Sequence, residues 1–591
     1  MDNNEIIMRM IFKNLLLIIF LICNNLFSND NLEVYTSSGF IKGTISKKVI
    51  SWDDIPYAEP PVGELRWKAP RDFQNDRNVI RPKNDNFCVQ EPSTLGGAEG
   101  AEEIVGTEDC LYLDIKAPSK KHEKLLPVMF WIHGGGNISG LKDIYDFSTM
   151  VKKHDVIVVS INYRLGPFGW FTHPSIQNKQ NGLDKTSNFG TLDIIKGLEW
   201  VNKNIVLFGG DPSNVTIFGE SAGGHNVLSL LVAPQAKGLF HKAISQSGYT
   251  TSADLVSAYK QDSKTIYTHT SEFTVNKLLK INNEGKDIYS FLKDLSAYDF
   301  FKSYLGTYNS EIPLLTNDGI VIPEIGLESS LGQKDMLNNV PLIIGSNRDE
   351  VKLWIGLAEY FVQADFSFLG SIIGIPGVKL KNEASFEAFN YYRSNAWQLR
   401  GVIEPLSSLH SAKNYQTYAY RYDWDDHRKY IFADFQKLFG AAHATEIPLL
   451  TGNNKLVGDY GFLLYPRGPS KRFTSKNMMR FWTHFAKFGE PGESSNKIKW
   501  EKYSPDKPSF IVLDKKRNMK TIEITSSYKT LVEELNDDPR VNNVEKCVIL
   551  FQMSSLVGND IFNKLIKDAT FPCKKSNAIN FLEENDSFIE Y

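Results

Sequence analysis

Short, uninterrupted apolar runs constrain the fold of this chain more than any other feature. Each run is too short for a typical helix, and continuous rather than alternating apolar strands are typical of parallel sheets that are covered on both faces. Five runs are candidate strands, at 127–132, 156–161, 215–218, 242–245 and 341–344. Amphipathic helical patterns accompany them, at 192–206 and 478–485. This alternation predicts an α/β fold with a large, mostly parallel central sheet flanked by helices.

Composition narrows the classes of function. The chain has 591 residues, is 42% hydrophobic, and carries 66 basic and 69 acidic residues for a formal net charge of −3. These charges are interspersed, so no broad basic field is available for a phosphate backbone, and nucleic acid is excluded as an expected partner. We find no internal repeat or long linker. The expected organisation is one domain over residues 29–575 with a C-terminal tail over 576–591.

The N-terminus has the pattern of a secretory signal. Arg9 and Lys13 precede an apolar core at 15–23, and polar residues follow around Ser28. This predicts a signal peptide over residues 1–28. A signal anchor is the alternative, but the apolar core has about half of the roughly 20 residues that a membrane-spanning helix requires. We therefore expect a secreted protein without a stable membrane span.

Cysteine usage fits an oxidising compartment. Cys23 lies in the predicted signal, and an even number of cysteines remains in the mature chain. Four cysteines allow three pairings, of which the local one joins Cys88 to Cys110 and Cys547 to Cys573. Zinc ligation is the alternative, but no CxxC or Cys-His spacing supports it.

A GxSxG segment follows the candidate strand at 215–218. Its sequence is GESAG at 219–223. In a nucleophile elbow, a serine occupies a strained turn between a strand and a helix, and small flanking residues avoid steric clashes. The segment therefore predicts an exposed Ser221 hydroxyl at a helix N-terminus. The alternative is an ordinary Gly-Ser loop.

Other residues could complete a site for acyl transfer. The segment HGGG at 133–136 directly follows a predicted strand, where backbone N–H groups could bind an oxyanion; the alternative is a glycine-rich turn without a ligand. A serine needs a base, and the base needs an acid that orients it. The chain has 11 histidines, and their spacing does not select one. His443 lies among small residues, and Asp349 and Glu350 follow the strand at 341–344. These groups could also be structural or surface residues.

Several motifs in order resemble the type-B carboxylesterase and cholinesterase family. They lie at 55–63, 108–113, 133–136, 209–212, 219–224 and 478–482, and the resemblance extends from about residue 33 to about residue 555. It implies an α/β-hydrolase fold. It further implies a secreted serine hydrolase that cleaves small-molecule or lipid esters through an acyl-enzyme, with no cofactor and no metal. The oligomeric state stays open.

The resemblance also implies roles for individual residues. Ser221 matches the nucleophile, Glu350 the acid and His443 the base. The matching oxyanion-hole residues are Gly135, Gly136 and Ala222, and the supporting residues are Glu220 and Ser247. Cys88 and Cys110 match a family disulfide, and Arg66 and Glu108 match a structural ion pair.

The chain also departs from the family pattern. Cholinesterases place a tryptophan inside the first disulfide loop to face a quaternary ammonium, and none lies between Cys88 and Cys110, which argues against choline esters. Trp354 could still line the pocket. Val351 and Asn137 replace a glycine and an aromatic residue that the family often carries.

A further departure concerns the second pair of cysteines. Glu404 stands where the family often has a cysteine, which leads to the hypothesis that Cys547 pairs with Cys573.

Three glycosylation sequons complete the motifs, at Asn137, Asn214 and Asn585. Asn585 and Asn214 are the expected sites, because a glycan on Asn137 would obstruct the oxyanion loop.

Two alternative functions share this fold. One is a non-enzymatic adhesion or structural protein, and the other is a lipase that acts on long-chain esters.

Overall fold

The computed structural model describes residues 32–74, 86–93, 96–261, 267–282, 287–307, 311–365, 377–555 and 559–585. The predicted signal peptide therefore lies outside the described residues. Helix Lys575–Glu584 occupies the first part of the predicted C-terminal tail. In the ranges that are described, no helix combines the length and the apolar character needed to cross a membrane.

Strands from most of the chain form one large sheet. The strands are β1 Glu33–Thr36, β2 Gly39–Lys42, β3 Thr44–Ser46, β4 Val49–Pro56, β5 Tyr112–Pro118, β6 Leu126–Ile132, β7 Ile157–Ile161, β8 Gly210–Glu220, β9 Lys242–Gln246, β10 Leu342–Asn347, β11 Val362–Asp365, β12 Gly377–Leu380, β13 Thr417–Tyr422, β14 Ser509–Leu513 and β15 Lys520–Glu523. Within the described residues, eleven of them form a sheet of order β15-β14-β13-β10-β9-β8-β6-β7-β5-β4-β3. The strands from β7 to β14 in this order pair in parallel, and the outer pairs are antiparallel.

The five strands that the apolar runs predict are β6 to β10, and they are neighbours at the centre of the sheet. In β6, Val128, Phe130 and Ile132 pack into one hydrophobic cluster. Met129 and Trp131 point to the other face and pack into a second cluster. Because alternate side chains of a strand leave opposite faces, burial of both sets requires cover on both sides. This confirms the predicted mostly parallel α/β architecture.

Helices cover the two faces. The α-helices are Ser148–His154, Gly166–Gly169, Pro174–Gln177, Phe189–Asn204, Ala222–Val232, Leu255–Tyr259, Ser271–Asn282, Ile288–Asp294, Ala297–Phe301, Leu327–Leu331, Lys352–Ile355, Glu383–Gln398, Glu404–Ser411, Phe435–Phe439, Ile447–Thr451, Gly461–Leu464, Pro469–Phe488, Tyr528–Asp537, Asn543–Ser555, Asn559–Asp568 and Lys575–Glu584. A π-helical turn at Leu399–Ile403 joins two of them. Helix Pro469–Phe488 contains the predicted pattern at 478–485. Helix Phe189–Asn204 contains most of the pattern at 192–206, and the last two residues of that pattern lie in the 3₁₀ turn Ile205–Phe208.

Disulfide bonds and an ion pair connect segments outside the sheet to the rest of the fold. The structure contains both expected disulfides, Cys88–Cys110 and Cys547–Cys573. The guanidinium of Arg66 donates to both carboxylate oxygens of Glu108, at 2.7 and 2.6 Å. Arg66 also donates to backbone carbonyls of the segment after Ile288, so the pair anchors that segment next to the first disulfide loop.

Candidate active site

Ser221 occupies a strained turn between β8 and the next helix. β8 ends at Glu220 and the helix begins at Ala222, and Ser221 has φ 59° and ψ −125°. A non-glycine residue adopts this conformation only where its surroundings enforce it. A Cβ atom at Gly223 would lie 2.0 Å from the carbonyl oxygen of Ile132, so the turn packs against β6 too closely for any side chain. The local geometry is that of a nucleophile elbow.

The glycine-rich loop after β6 lies beside this turn. Gly135 and Gly136 have φ of 99° and 63°, and a Cβ atom at Gly135 would lie 2.3 Å from the carbonyl oxygen of Ser139. The loop therefore needs glycine here for both conformation and space. Ala222 is the first residue of its helix, so its N–H has no acceptor within the helix. These three amides are the sequence-predicted oxyanion donors.

His443 and Glu350 meet although 93 residues separate them. Nδ1 of His443 lies 2.6 Å from Oε2 of Glu350, and both side chains are buried. The other oxygen of Glu350 accepts the N–H of Asn347, the last residue of β10. The backbone N–H of His443 also donates to the carbonyl of Glu350. The acid is thereby fixed from two sides and holds the imidazole in one orientation.

The second ring nitrogen of His443 faces Glu220. Nε2 lies 3.1 Å from Oε1 of Glu220, at an angle that does not form a hydrogen bond. Nε2 also has no hydrogen bond to Ser221 in this structure. Since catalytic hydrogen bonds in apo enzymes are often loose and tighten when substrate binds, this geometry is compatible with a base beside its nucleophile.

The carboxylates around His443 control its protonation. Burial lowers the pKa of His443, but Glu220 and then Glu350 outweigh burial and raise this pKa to about 9. Burial raises the pKa of Glu220 to about 8, although the neighbouring imidazole opposes the rise. The two groups are in contact, so a proton gained by one changes the affinity of the other.

A second histidine, His427, lines the same cavity but is placed differently. Its Nε2 lies 2.9 Å from the carbonyl oxygen of Gly440, and burial lowers its pKa to about 4. Among the residues that the structure describes, no carboxylate hydrogen-bonds to its ring as Glu350 does to that of His443. The geometry therefore distinguishes between histidines where sequence spacing does not.

A buried carboxylate that the sequence analysis missed supports the site. Oε2 of Glu446 accepts from the side-chain amide of Asn347 at 2.7 Å, and Oε1 accepts from Gln246 at 3.1 Å. Gln246 in turn accepts the indole N–H of Trp482 at 2.9 Å. This network links the end of β10 to helix Pro469–Phe488. The spacing of three residues after His443 is a sequence signal that could have drawn attention to Glu446.

Two tryptophans pack on the imidazole. The ring centroids of Trp354 and Trp397 lie 5.1 and 4.9 Å from that of His443. The two indoles stack on each other at 5.7 Å. Trp354 lines the cavity, as the sequence analysis suggested, whereas Trp397 comes from helix Glu383–Gln398 and was missed.

The cavity above Ser221 has a volume of about 370 Å³. Glu220, Ser221, His443 and Gly135 contribute to its wall. The rest is largely apolar, with Ile138, Tyr145, Leu353, Trp354, Phe439, Leu456, Val457, Leu464 and Tyr465. Its size lies within the range of small-molecule sites, and its apolar wall suits an uncharged ligand.

Ser247 has no demonstrated contact with the triad. It follows β9 with φ 48°, its N–H donates to the carbonyl of Gly345, and its buried hydroxyl has no hydrogen-bond partner among the described residues. Trp397 donates its indole N–H to the Ser247 carbonyl at 3.2 Å. The structure thus places Ser247 behind a tryptophan that packs on His443.

The three sequons differ in accessibility. Asn137 is fully buried, and its Oδ1 accepts from Asn226 at 2.8 Å. Asn214 is partly buried in β8, where its side-chain oxygen accepts from Lys242. Asn585 ends the last helix and donates to the carbonyl of Phe581 at 2.7 Å. The burial of Asn137 agrees with its being an unused sequon.

Comparisons with known proteins agree with the geometry. The model of the carboxylesterase family matches residues 30–531. The para-nitrobenzyl esterase of Bacillus subtilis (strain 168) is 31% identical over 502 residues, which cover 81% of this chain and 94% of that protein. The liver carboxylesterase of Sus scrofa is 31% identical, with 74% of this chain and 80% of that protein covered. Among solved structures, a thermophilic PNB esterase superposes with a TM-score of 0.65 at 28% identity, covering 83% of this chain and 97% of that one.

Proposed function

Because this chain belongs to the carboxylesterase family and is a carboxylic ester hydrolase, we propose that Ser221 cleaves the ester through an acyl-enzyme. The observation that carries this mechanism is the 2.6 Å contact between His443 and Glu350 at the cavity that also contains Ser221 and Gly135. A nucleophile, an oriented base and candidate oxyanion donors then surround one space.

Acylation follows from these positions. Ser221 Oγ attacks the carbonyl carbon while its proton moves to Nε2 of His443. The carbonyl oxygen becomes an oxyanion that accepts hydrogen bonds from the amides of Gly135, Gly136 and Ala222. Glu350 stabilises the imidazolium. When the tetrahedral intermediate collapses, the ester C–O bond breaks and His443 gives the proton to the departing alcohol.

Deacylation repeats these reaction steps with water as the nucleophile. His443 takes a proton from water as its oxygen attacks the acyl carbon, and the same amides hold the second oxyanion. The bond to Ser221 then breaks, Oγ regains the proton from His443, and the carboxylic acid leaves. Each half-reaction returns the imidazole to its neutral state.

The substrate we propose is a small ester with an uncharged, apolar body. The cavity of about 370 Å³ and its apolar wall support this class. The absence of a tryptophan between Cys88 and Cys110 disfavours choline esters. A long-chain ester would require more space than this cavity offers, and hydrolysis rates over a series of acyl lengths would separate an esterase from a lipase.

We further propose that the protein is secreted. The N-terminal pattern predicts a signal peptide, and two disulfides suit an oxidising compartment. Expression of the full chain in a secretory host tests this. Secreted protein that begins after residue 28 agrees with the proposal, whereas retention of the uncleaved chain in the membrane fraction contradicts it.

Covalent labelling with a fluorophosphonate probe tests the proposed mechanism. The reagent reacts with activated serines, so the expected product is a single adduct on the peptide that contains Ser221. Heat-unfolded protein is the control, because an unactivated serine does not react. Folded protein that resists labelling would instead support a binding or structural role.

A further inference from the structure

A second cleft, lined by cations, lies next to the catalytic cavity. Its volume is about 1310 Å³, and Tyr465 lines both spaces. The cationic side chains along it are Lys153, Arg428, Arg467, Lys471, Arg472 and Lys476. In the part of the chain that is described, no aspartate or glutamate lines the cleft. The chain as a whole has a net charge of −3, so this positive charge is a local feature.

Within the described ranges, these cations form no ion pairs. Elsewhere, surface lysines meet carboxylates, as Lys507 meets Glu501 at 2.7 Å and Lys515 meets Asp426 at 2.6 Å. Among described side chains, none of the six cleft cations lies within 4.0 Å of a carboxylate oxygen. Gathering like charges without partners costs free energy, and a bound anion would offset that cost.

One of the cations is held in place by neutral contacts. Lys471 donates to Oδ1 of Asn454 at 2.7 Å, and its ammonium lies 4.8 Å from the ring centroid of Tyr465. Burial lowers the pKa of Lys471 to about 8, and the charge of Arg467 adds to this effect. Lys471 and Arg467 therefore both contribute positive charge to the wall of the same cleft.

Two neutral polar groups of the cleft already have partners. Ser475 donates its hydroxyl to the carbonyl of Leu449, and Asn453 donates to the carbonyl of Asp146. With six cations and no carboxylate among the described lining residues, charge is the main feature by which a ligand would be recognised. Guanidinium groups suit this, because their N–H groups form paired hydrogen bonds with phosphate or sulfate oxygens.

We propose that this cleft is a binding site for a small molecule that bears several phosphate or sulfate groups. Its cations come from separate segments, since Lys153 follows β6, Arg428 follows β13, and the others lie around the start of helix Pro469–Phe488. They surround a concave space and do not form an extended stripe, so a compact polyanion fits better than a polymer backbone.

Calorimetric titration of the intact protein tests the site, with sodium tripolyphosphate and sucrose octasulfate as separate probes. We expect at least one probe to bind, and we expect added NaCl to weaken binding because salt screens the charges. The probe with the higher affinity identifies phosphate or sulfate as the preferred group. If neither probe binds at low salt, the proposal is wrong.

Substitutions of cleft cations show whether the probe binds in the cleft. Arg428→Gln, Arg467→Gln and Arg472→Gln together remove three exposed cleft charges, and binding should weaken about tenfold if each contributes about 0.5 kcal/mol. The matched control removes three exposed charges outside the cleft, at Lys516, Arg517 and Lys520. Equal loss in both variants would show general charge attraction and overturn the site. Circular dichroism checks that each variant is folded, and ester hydrolysis is not the readout, so failure here leaves the proposed mechanism untouched.

Discussion

Oε1 of Glu220 lies 3.1 Å from Nε2 of His443, the ring nitrogen that Glu350 does not contact. The imidazole is thus held between two carboxylates, both of which are buried. Their negative charge stabilises the imidazolium, and this raises the pKa of His443 to about 9 against the opposing effect of burial. Because Glu220 and His443 are in contact, the pKa of His443 depends on whether Glu220 is ionised.

The pH dependence of hydrolysis should therefore respond to Glu220. His443 acts as a base only when it is neutral, so a raised pKa moves the acid limb of the kcat/KM profile to higher pH. Glu220→Gln keeps the shape of the side chain and removes its charge, and the acid limb should move to lower pH. Glu501→Gln, an exposed glutamate, is the control. An acid limb that stays in place would show that Glu220 does not set the protonation of His443.

Substitutions of Glu350 and of its neighbour Asp349 should have different effects. The first should reduce catalysis, and the second should reduce stability. Glu350→Gln leaves the imidazolium without its counter-charge, and kcat should fall by about a thousandfold or more. Asp349 instead accepts from Arg348, Asn390 and the N–H of Ala441. Asp349→Asn should lower the free energy of unfolding by about 1–3 kcal/mol and leave kcat of the folded enzyme nearly unchanged. Steady-state kinetics and thermal unfolding of both variants check this, and the reverse pattern would exchange the two roles.

A methyl group at Gly135 should disable the oxyanion loop. The new Cβ would lie 2.3 Å from the carbonyl oxygen of Ser139, so the loop must shift. Its amide N–H groups would then no longer point at the oxyanion. We expect kcat to fall by about 100- to 1,000-fold. Gly238→Ala is a matched control, because Gly238 has φ 82° and open space around its Cβ position. Similar losses in both variants would mean that backbone strain alone explains the effect.

The bond between Cys547 and Cys573 should stabilise the C-terminal helices. It closes a loop with a sequence separation of 26, for which the chain-entropy model gives about 3–4 kcal/mol. The double variant Cys547→Ala, Cys573→Ala should unfold at a lower temperature than the wild type. Non-reducing peptide mapping identifies the bond directly. Equal unfolding temperatures, or a free Cys573 in the wild type, would contradict this account.

Local features explain how much of the fold the sequence predicts. The strands β6 to β10 are visible because a strand buried on both faces contains a short run of mainly apolar residues, and the GxSxG turn is visible because side chains in place of its glycines would clash with backbone atoms. These signals lie within a few neighbouring residues. The order of the strands depends instead on pairings between distant segments, and the apolar runs carry no information about it.

The site residues that were missed act through tertiary contacts. Trp397 reaches His443 from a helix that lies far from it in the chain, and nothing in the local pattern distinguishes it from a core tryptophan. Glu446 is fully buried, whereas an isolated glutamate in a sequence is normally expected at the surface. The small residues around His443 favour it and the family resemblance assigns it the role of base, because spacing alone does not identify the histidine that faces Glu350.

Hydrolysis of a p-nitrophenyl ester by Ser221→Ala tests whether Ser221 is the nucleophile. We expect this variant to have the circular dichroism spectrum of the wild type and to lose at least about a thousandfold in kcat, because alanine lacks the Oγ that attacks the ester. Folded Ser221→Ala protein that hydrolyses the ester at the wild-type rate would show that the reaction takes place elsewhere.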